Sequence, residues 1–458
     1  MPRWLILLTL VLYAGCFSPA TNSLPEWALF GALRGRIFIP TDGRVKSFQA
    51  INGLTGGLTG GLEDAGFFGR GSIDLGDLDG DGIMDLAVSA WADDDGGIDR
   101  GAVWILFMNR DGTVRSQQII SELFGNFSGL LADGDYFGYS LARLGDLDGD
   151  GIPDLAVGAP KANDGGTFRG ATWILFLNRS GTVKSYQKIS SIAGGFGVGI
   201  VNNDQFGTNL NSPGDLDRDG VTDLIASVPF SDDGGADRGG FWVLFLNSNG
   251  TVKSKQKVSN ISGGFSGTLQ NTDYFGGDVA TIGDLDGDGV QDLAVGAGGS
   301  DDGGTDRGAV WILFMNTNGT VKSAQKISST SGGFTGTLSD SDQMGALGMI
   351  GPDDLNGDGI KDVVVGAVGS DDGGTDRGSA WVIFLNTNGT VKSLQKISNT
   401  QGQFAGILSN SALFGGGIGF LGDLDGDLVP DLVVGASNAA AGGTGRGTAF
   451  VLFLAPAP

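Results

Sequence analysis

The chain has 458 residues, 85 of them glycine and only 12 proline, and it carries a formal net charge of −24. That acidity excludes a nucleic acid as an electrostatic partner, because a phosphate backbone needs Lys and Arg; it argues equally against anionic membranes and suits the binding of cations. There is no histidine, and the one cysteine is Cys16, so His-dependent triads, His or Cys zinc sites and an internal disulfide are excluded.

Residues 1–20 read as a secretory signal: Arg3, an apolar run from 4 to 13, then small residues, too short to span a bilayer. Two forms stay open. YAGC at 13–16 is similar to a bacterial lipobox, in which Cys16 would carry a lipid and provide the only link to a membrane, although Tyr13 departs from the usual aliphatic residue. The other form is cleavage after Ala20. Either leads to the expectation of a secreted or cell-envelope protein. Residues 21–34 read as a linker.

From residue 35 to 454 the chain reads as one repeating domain. GDLDGDG-type runs place their first Asp at 77, 146, 215, 284, 354 and 423, in steps of 69 with a single 70. Trp104, Trp173, Trp242, Trp311 and Trp381 keep the same step, and Phe450 takes the sixth place. The repeats run over about 67–135, 136–204, 205–273, 274–342, 343–412 and 413–454. The extra residue of the fifth falls in GPDDL at 351–355, where Pro352 suits a bulge or loop insertion.

Each unit predicts about four short strands and no helix, for no segment sustains a 3.6-residue period. In the second unit they are FGYSLARLGD (137–146), DLAVGA (154–159), GATWILFLN (170–178) and TVKSYQKIS (182–190). The last two are joined by NRSG, elsewhere NSNG or NTNG, where Asn-Gly predicts a tight hairpin because both residues tolerate positive φ. Four-stranded units in series predict an all-β propeller, because sheets stacked radially bury faces that one sheet would leave wet. Residues 35–51 match strands three and four of a unit in register, and the sixth unit lacks a fourth strand. The N-terminal VKSFQAI therefore closes the ring in a six-bladed reading, leaving the stretch 36–39 over; that leftover keeps seven blades open.

The acidic runs have the donor pattern of a calcium loop. Calcium takes six to eight oxygen ligands in flexible geometry. Carboxylates at loop positions 1, 3, 5 and 9 and the carbonyl at 7 supply them, and glycine at 6 lets the loop curl. The candidate ligands are Asp77, Asp79, Asp81, Ile83 and Asp85 in the first unit; Asp146, Asp148, Asp150, Ile152 and Asp154 in the second; Asp215, Asp217, Asp219, Val221 and Asp223 in the third. They continue as Asp284, Asp286, Asp288, Val290 and Asp292; Asp354, Asn356, Asp358, Ile360 and Asp362; and Asp423, Asp425, Asp427, Val429 and Asp431. The third loop has Arg218 in place of a glycine, and the sixth has Leu428 where glycine is wanted, which makes it the weakest. These loops hold 23 of the 52 acidic residues, so six structural Ca²⁺ ions would offset much of the self-repulsion. No bidentate Glu follows at position 12, which separates the loops from an EF-hand.

FG at 137–138, GDLDGDG at 145–151 and VGAP at 157–160 together resemble the FG-GAP repeat, as in the N-terminal propeller of integrin α chains. The resemblance covers all six units and implies a propeller, calcium in hairpin loops, and extracellular adhesion or ligand binding. A chain ending soon after its last strand is not expected to be a whole integrin subunit. The functional expectation is a secreted or surface binding module for an unidentified protein or glycan, without enzymatic activity. The alternatives are a structural surface or matrix component without a discrete ligand, and a propeller hydrolase or lyase. No catalytic residue is assigned, since clustered Asp residues fall in the loops and no unit departs from its siblings with new polar residues. SDDGGTDRG at 300–308 and 370–378 reads as a turn with a local Asp–Arg pair, and the repeated Trp residues read as core.

Overall fold

The computed structural model describes residues 38–458. The leader at 1–20, the lipid on Cys16 and the linker at 21–34 lie outside the described residues. Twenty-four strands form six four-stranded antiparallel sheets, and no helix occurs among the described residues. The first blade runs Phe68–Gly76, Asp85–Ala90, Ala102–Met108 and Val114–Ile120 in hydrogen-bonded order. The first strands of the other blades are Leu141–Gly145, Leu210–Gly214, Phe275–Gly283, Met344–Ile350 and Phe414–Gly422. Each packs on the next, and the sixth packs on the first, so the six line a closed ring.

The strand chemistry explains the layering. The third strand of the first five blades is a largely apolar run such as AVWILFM, buried at every position, as a strand sandwiched between neighbouring blades must be, and that of the sixth is buried from Thr448 to Leu454. The fourth, such as VKSAQKIS, is exposed along its middle because it forms the rim. The core divides into six apolar clusters, one per blade interface. One of them joins Val103, Ile105 and Phe107 of blade one to Val157, Trp173 and Leu175 of blade two. The phenylalanine of FG is fully buried at 68, 137, 206, 275 and 414, each contributing about 1.5–3 kcal/mol by burial.

Closure is made by the strand Thr41–Ile51, which pairs antiparallel with Thr448–Pro456 and supplies the sixth blade's missing outer strand. Six blades are therefore complete, and the seven-blade alternative does not hold. The leftover strand is not formed by the described part of 36–39. Phe38, Ile39 and Pro40 carry no strand; the Ile39 amide donates to the Leu428 carbonyl and the Thr41 amide to the Leu355 carbonyl, 2.7 Å each, so the segment bridges the acidic loops of blades five and six.

One local reading is narrowed and another is corrected. In the strand three–four hairpins only glycine takes a positive φ (Gly250, +76°; Gly319, +76°). The preceding Asn249 and Asn318 instead accept the amides of Thr251 and Thr320 through their side chains, both at 3.1 Å, which holds them out of the left-handed region. Nor is the Arg of the DRG segment locally paired. Arg307 Nε meets Asp340 Oδ1 at 2.8 Å and Arg238 Nε meets Asn271 Oδ1 at 3.1 Å, each in the segment leading into the next blade. The Arg307 carbonyl also accepts the Met344 amide, and the Arg100 carbonyl accepts the Phe137 amide. DRG and FG thus form the backbone seam between blades.

Candidate metal loops and the axial strands

Each acidic loop connects the first strand of a blade to the second. Its ninth residue is the anchor. Asp85 is fully buried; its Oδ2 accepts the Leu78 amide at 3.0 Å and its Oδ1 accepts the Met108 amide at 3.1 Å, tying the loop to the third strand. Asp154, Asp223, Asp292, Asp362 and Asp431 repeat both bonds with their own leucine and third-strand partners. The first residue curls the loop: Asp77 accepts Gly80 N at 2.8 Å and Gly82 N at 2.9 Å.

Positions 1, 3 and 9 converge. Oxygens of Asp77, Asp79 and Asp85 lie within 4.8 Å of one another, and so do those of Asp146, Asp148 and Asp154, of Asp215, Asp217 and Asp223, of Asp284, Asp286 and Asp292, and of Asp423, Asp425 and Asp431. Burial, reinforced by the neighbouring carboxylates, pushes Asp85 and Asp292 up to about 6 and Asp362 and Asp431 up to about 8. An all-oxygen set with one buried carboxylate fits a hard divalent cation. The fifth loop, with Asn356 at its second position, is not among these three-carboxylate groups.

Position 5 does not join the cluster. Asp81, Asp150, Asp219, Asp288, Asp358 and Asp427 instead meet a cation from the blade's outer strand, most of which also reaches position 3. Arg115 spans Asp79 and Asp81, and Lys184 spans Asp148 and Asp150. Lys253 spans Asp217 and Asp219, and Lys322 spans Asp286 and Asp288 at 2.5 Å each. Lys392 meets Asp358 at 2.6 Å, and Lys46 of the closing strand spans Asp425 and Asp427. Sequence reasoning missed this cation, although the VKS or VRS of every outer strand keeps the loop's own spacing. The amides at position 7, such as Ile83 N and Val290 N, donate to the position-5 carboxylate.

The irregular loops behave differently. Arg218 takes φ +64° where its equivalents are glycine, and Leu428 takes +70°. The loop-six carboxylates still converge, but the bond from position 6 to the first carboxylate, made by Gly82 and Gly289, has no counterpart at Leu428 among the described bonds.

The expectation that no unit departs from its siblings with polar residues is overturned at the ring's axis. The two residues after FG or MG are Arg70-Gly71, Tyr139-Ser140, Thr208-Asn209, Gly277-Asp278, Ala346-Leu347 and Gly416-Gly417. Most of them line one axial cavity. The signal was available as the place where the repeats disagree.

The FG-GAP repeat family matches residues 137–175 and 275–313. Integrin alpha-5 of Xenopus laevis is 32% identical over 242 residues, taking in 52% of this chain and 20% of that protein. Integrin alpha-PS5 of Drosophila melanogaster is 30% identical over 168 residues, 37% of this chain and 15% of that one. Integrin alpha-V of Gallus gallus is 29% identical over 242 residues, 50% and 20%. The matches thus span no more than a fifth of these relatives' length.

Proposed function

Since the chain is an FG-GAP repeat protein with an integrin-α-like six-bladed propeller, we propose that it is a calcium-stabilised binding module, acting outside the cytosol or at a cell surface on a protein or glycan ligand. The observation that carries the metal half is the convergence of a buried ninth-position Asp with two further carboxylates in five loops. Bound Ca²⁺ would supply the positive charge that offsets their repulsion, with the position-7 carbonyls as further ligands. The ions are structural on this reading: they bind the folded ring and stabilise it by mass action, about 2.7 kcal/mol per site at a hundredfold excess over Kd. The binding half rests on likeness to integrin α chains, and no catalytic role is assigned to the loop carboxylates because each already serves the loop.

The test is a thermal melt of the purified chain with calcium and then with excess EGTA, with bound ions counted by calorimetry. A strongly calcium-dependent Tm and four to six ions are expected. A Tm indifferent to calcium would remove the metal from the reading. A screen of protein and glycan ligands on the calcium-loaded chain then separates a binding module from a structural component.

A further inference from the structure

The axial cavity measures about 70 Å³ and is lined by residues on or beside the first strands of the six blades. That is room for several waters, or for a molecule of about five or six heavy atoms. Its polar side chains differ from blade to blade, although the rest of the unit is nearly copied. Arg70 of blade one is 9% exposed. Its guanidinium lies 3.8 Å from the centroid of the Tyr139 ring, and its Nε has no hydrogen-bond partner among the described residues. Ser72 Oγ, on the same face of that strand two residues on, is buried and unpartnered as well.

Blade four stands opposite blade one in a six-membered ring, and it contributes Asp278. This side chain is 5% exposed and accepts the Val279 amide at 2.7 Å, with the Gly348 and Met349 amides of blade five also turned toward it. The charge of Arg70 reaches Asp278 and favours its ionised form, yet no ion pair within 4.0 Å joins the two among the described residues. Between them Asn209 Oδ1 accepts the Val279 amide at 3.1 Å. Tyr139 and Asn209, which also line the cavity, are half-buried. Beside Arg70 the blade-six wall is kept flush by glycine: a Cβ on Gly417 would meet the Arg70 carbonyl at 2.2 Å.

A buried guanidinium without its carboxylate is costly to keep. Across the gap the Asp278 carboxylate is met by backbone amides, but no cation lies within ion-pair distance of it among the described residues. We propose that the axial cavity binds a small zwitterion, an α-amino acid of glycine or alanine size, with its carboxylate on Arg70 and Ser72 and its ammonium toward Asp278. The guanidinium is a planar fork matched to a carboxylate, and stacking on Tyr139 fixes its plane. A simple anion satisfies Arg70 alone and sets a second negative charge before Asp278. A simple amine does the reverse. Only a ligand carrying both groups completes both walls.

The experiment is calorimetric titration and a thermal melt of the full chain, in calcium and in EGTA, with glycine, alanine, acetate and ethylamine as probes. Running both conditions keeps this inference separate from the metal loops. Glycine or alanine should bind with a Kd on the order of millimolar or tighter and raise Tm, and acetate and ethylamine should each bind at least about tenfold more weakly. Arg70→Gln should lose at least about tenfold in glycine affinity, with Arg70→Lys between it and the parent. Asp278→Asn should weaken glycine while leaving or improving acetate. The absence of any heat or Tm shift with the amino acids in the parent chain overturns the proposal, as does acetate binding as tightly as glycine. If Arg70→Gln fails to fold, the reversal of the glycine-to-acetate preference in Asp278→Asn decides the matter.

Discussion

The acidic loops and the axial positions sit a few residues apart in every unit, yet they diverge in opposite ways. Five loops bring the same three carboxylates together and tie the ninth to the same two backbone amides. At the axis no two blades present the same pair of residues. A loop is assembled within one blade, so six copies do one task six times. The axis is where all six blades meet, so it is a single place built from six different contributions.

The largest effect should come from the loop anchor. Asp292→Ala strands the buried amides of Leu285 and Met315, which its carboxylate accepts at 2.8 and 3.0 Å. At about 1–3 kcal/mol for each orphaned donor, the loss is roughly 2–6 kcal/mol by urea denaturation. Asp85→Ala and Asp223→Ala should cost the same within about 1 kcal/mol, and a wide spread would break the picture of equivalent copies.

The axis should respond to pH in its own way. Burial holds the Asp278 carboxyl up to about 7, against an ordinary 3.8, with Arg70 the opposing charge that favours ionisation. The folded state therefore binds that proton more tightly than the unfolded chain. The resulting cost is absent at pH below 3.8, grows as pH rises and is fully present above 7. Asp278→Asn should raise stability at pH 8 by about 2–4 kcal/mol relative to its effect at pH 4. Equal effects at the two pH values would place the Asp278 charge outside the fold's energetics.

Smaller changes sharpen the loops. Lys322→Gln removes a positive charge from Asp286 and Asp288. Calcium affinity at that loop should rise roughly fifteenfold, as a unit charge about 5 Å from a divalent ion in water implies, and calorimetry against the parent reads it. Unchanged affinity would mean that the lysine stands outside the ion's field. Leu428→Gly relieves a left-handed backbone at φ +70° and should stabilise by about 1 kcal/mol. A loss of Tm instead would show that the Leu428 side chain matters more than its strain.

Much of this was legible in the residues. The 69-residue step, the four strands per unit and closure by VKSFQAI all follow from pattern, and the structure has six blades closed by Thr41–Ile51. The loop carboxylates were legible because they recur. What was not legible depends on which blade faces which. Arg307 looked local because Asp306 adjoins it, but Asp306 sits at φ +48° and the guanidinium reaches Asp340 in the segment leading into the next blade. The cation on each of the first five loops comes from an outer strand more than thirty residues later, and that on the sixth from Lys46, 379 residues before Asp425, so only the sheet brings it near. Arg70 and Asp278 lie more than two hundred residues apart, and comparing repeats for what they share passes over the positions where they differ.

The clasp between Thr41–Ile51 and Thr448–Pro456 has a mechanical side. The two strands are antiparallel with Thr41 opposite Pro456, so both leave the sheet at the same end. Tension applied between residues 41 and 456 loads the hydrogen bonds one rung at a time, as in unzipping, rather than all together in shear. It also draws Lys46 away from Asp425 and Asp427 early in the peel. A propeller held from both directions would yield at this seam first, whereas one held from a single end carries no load across it.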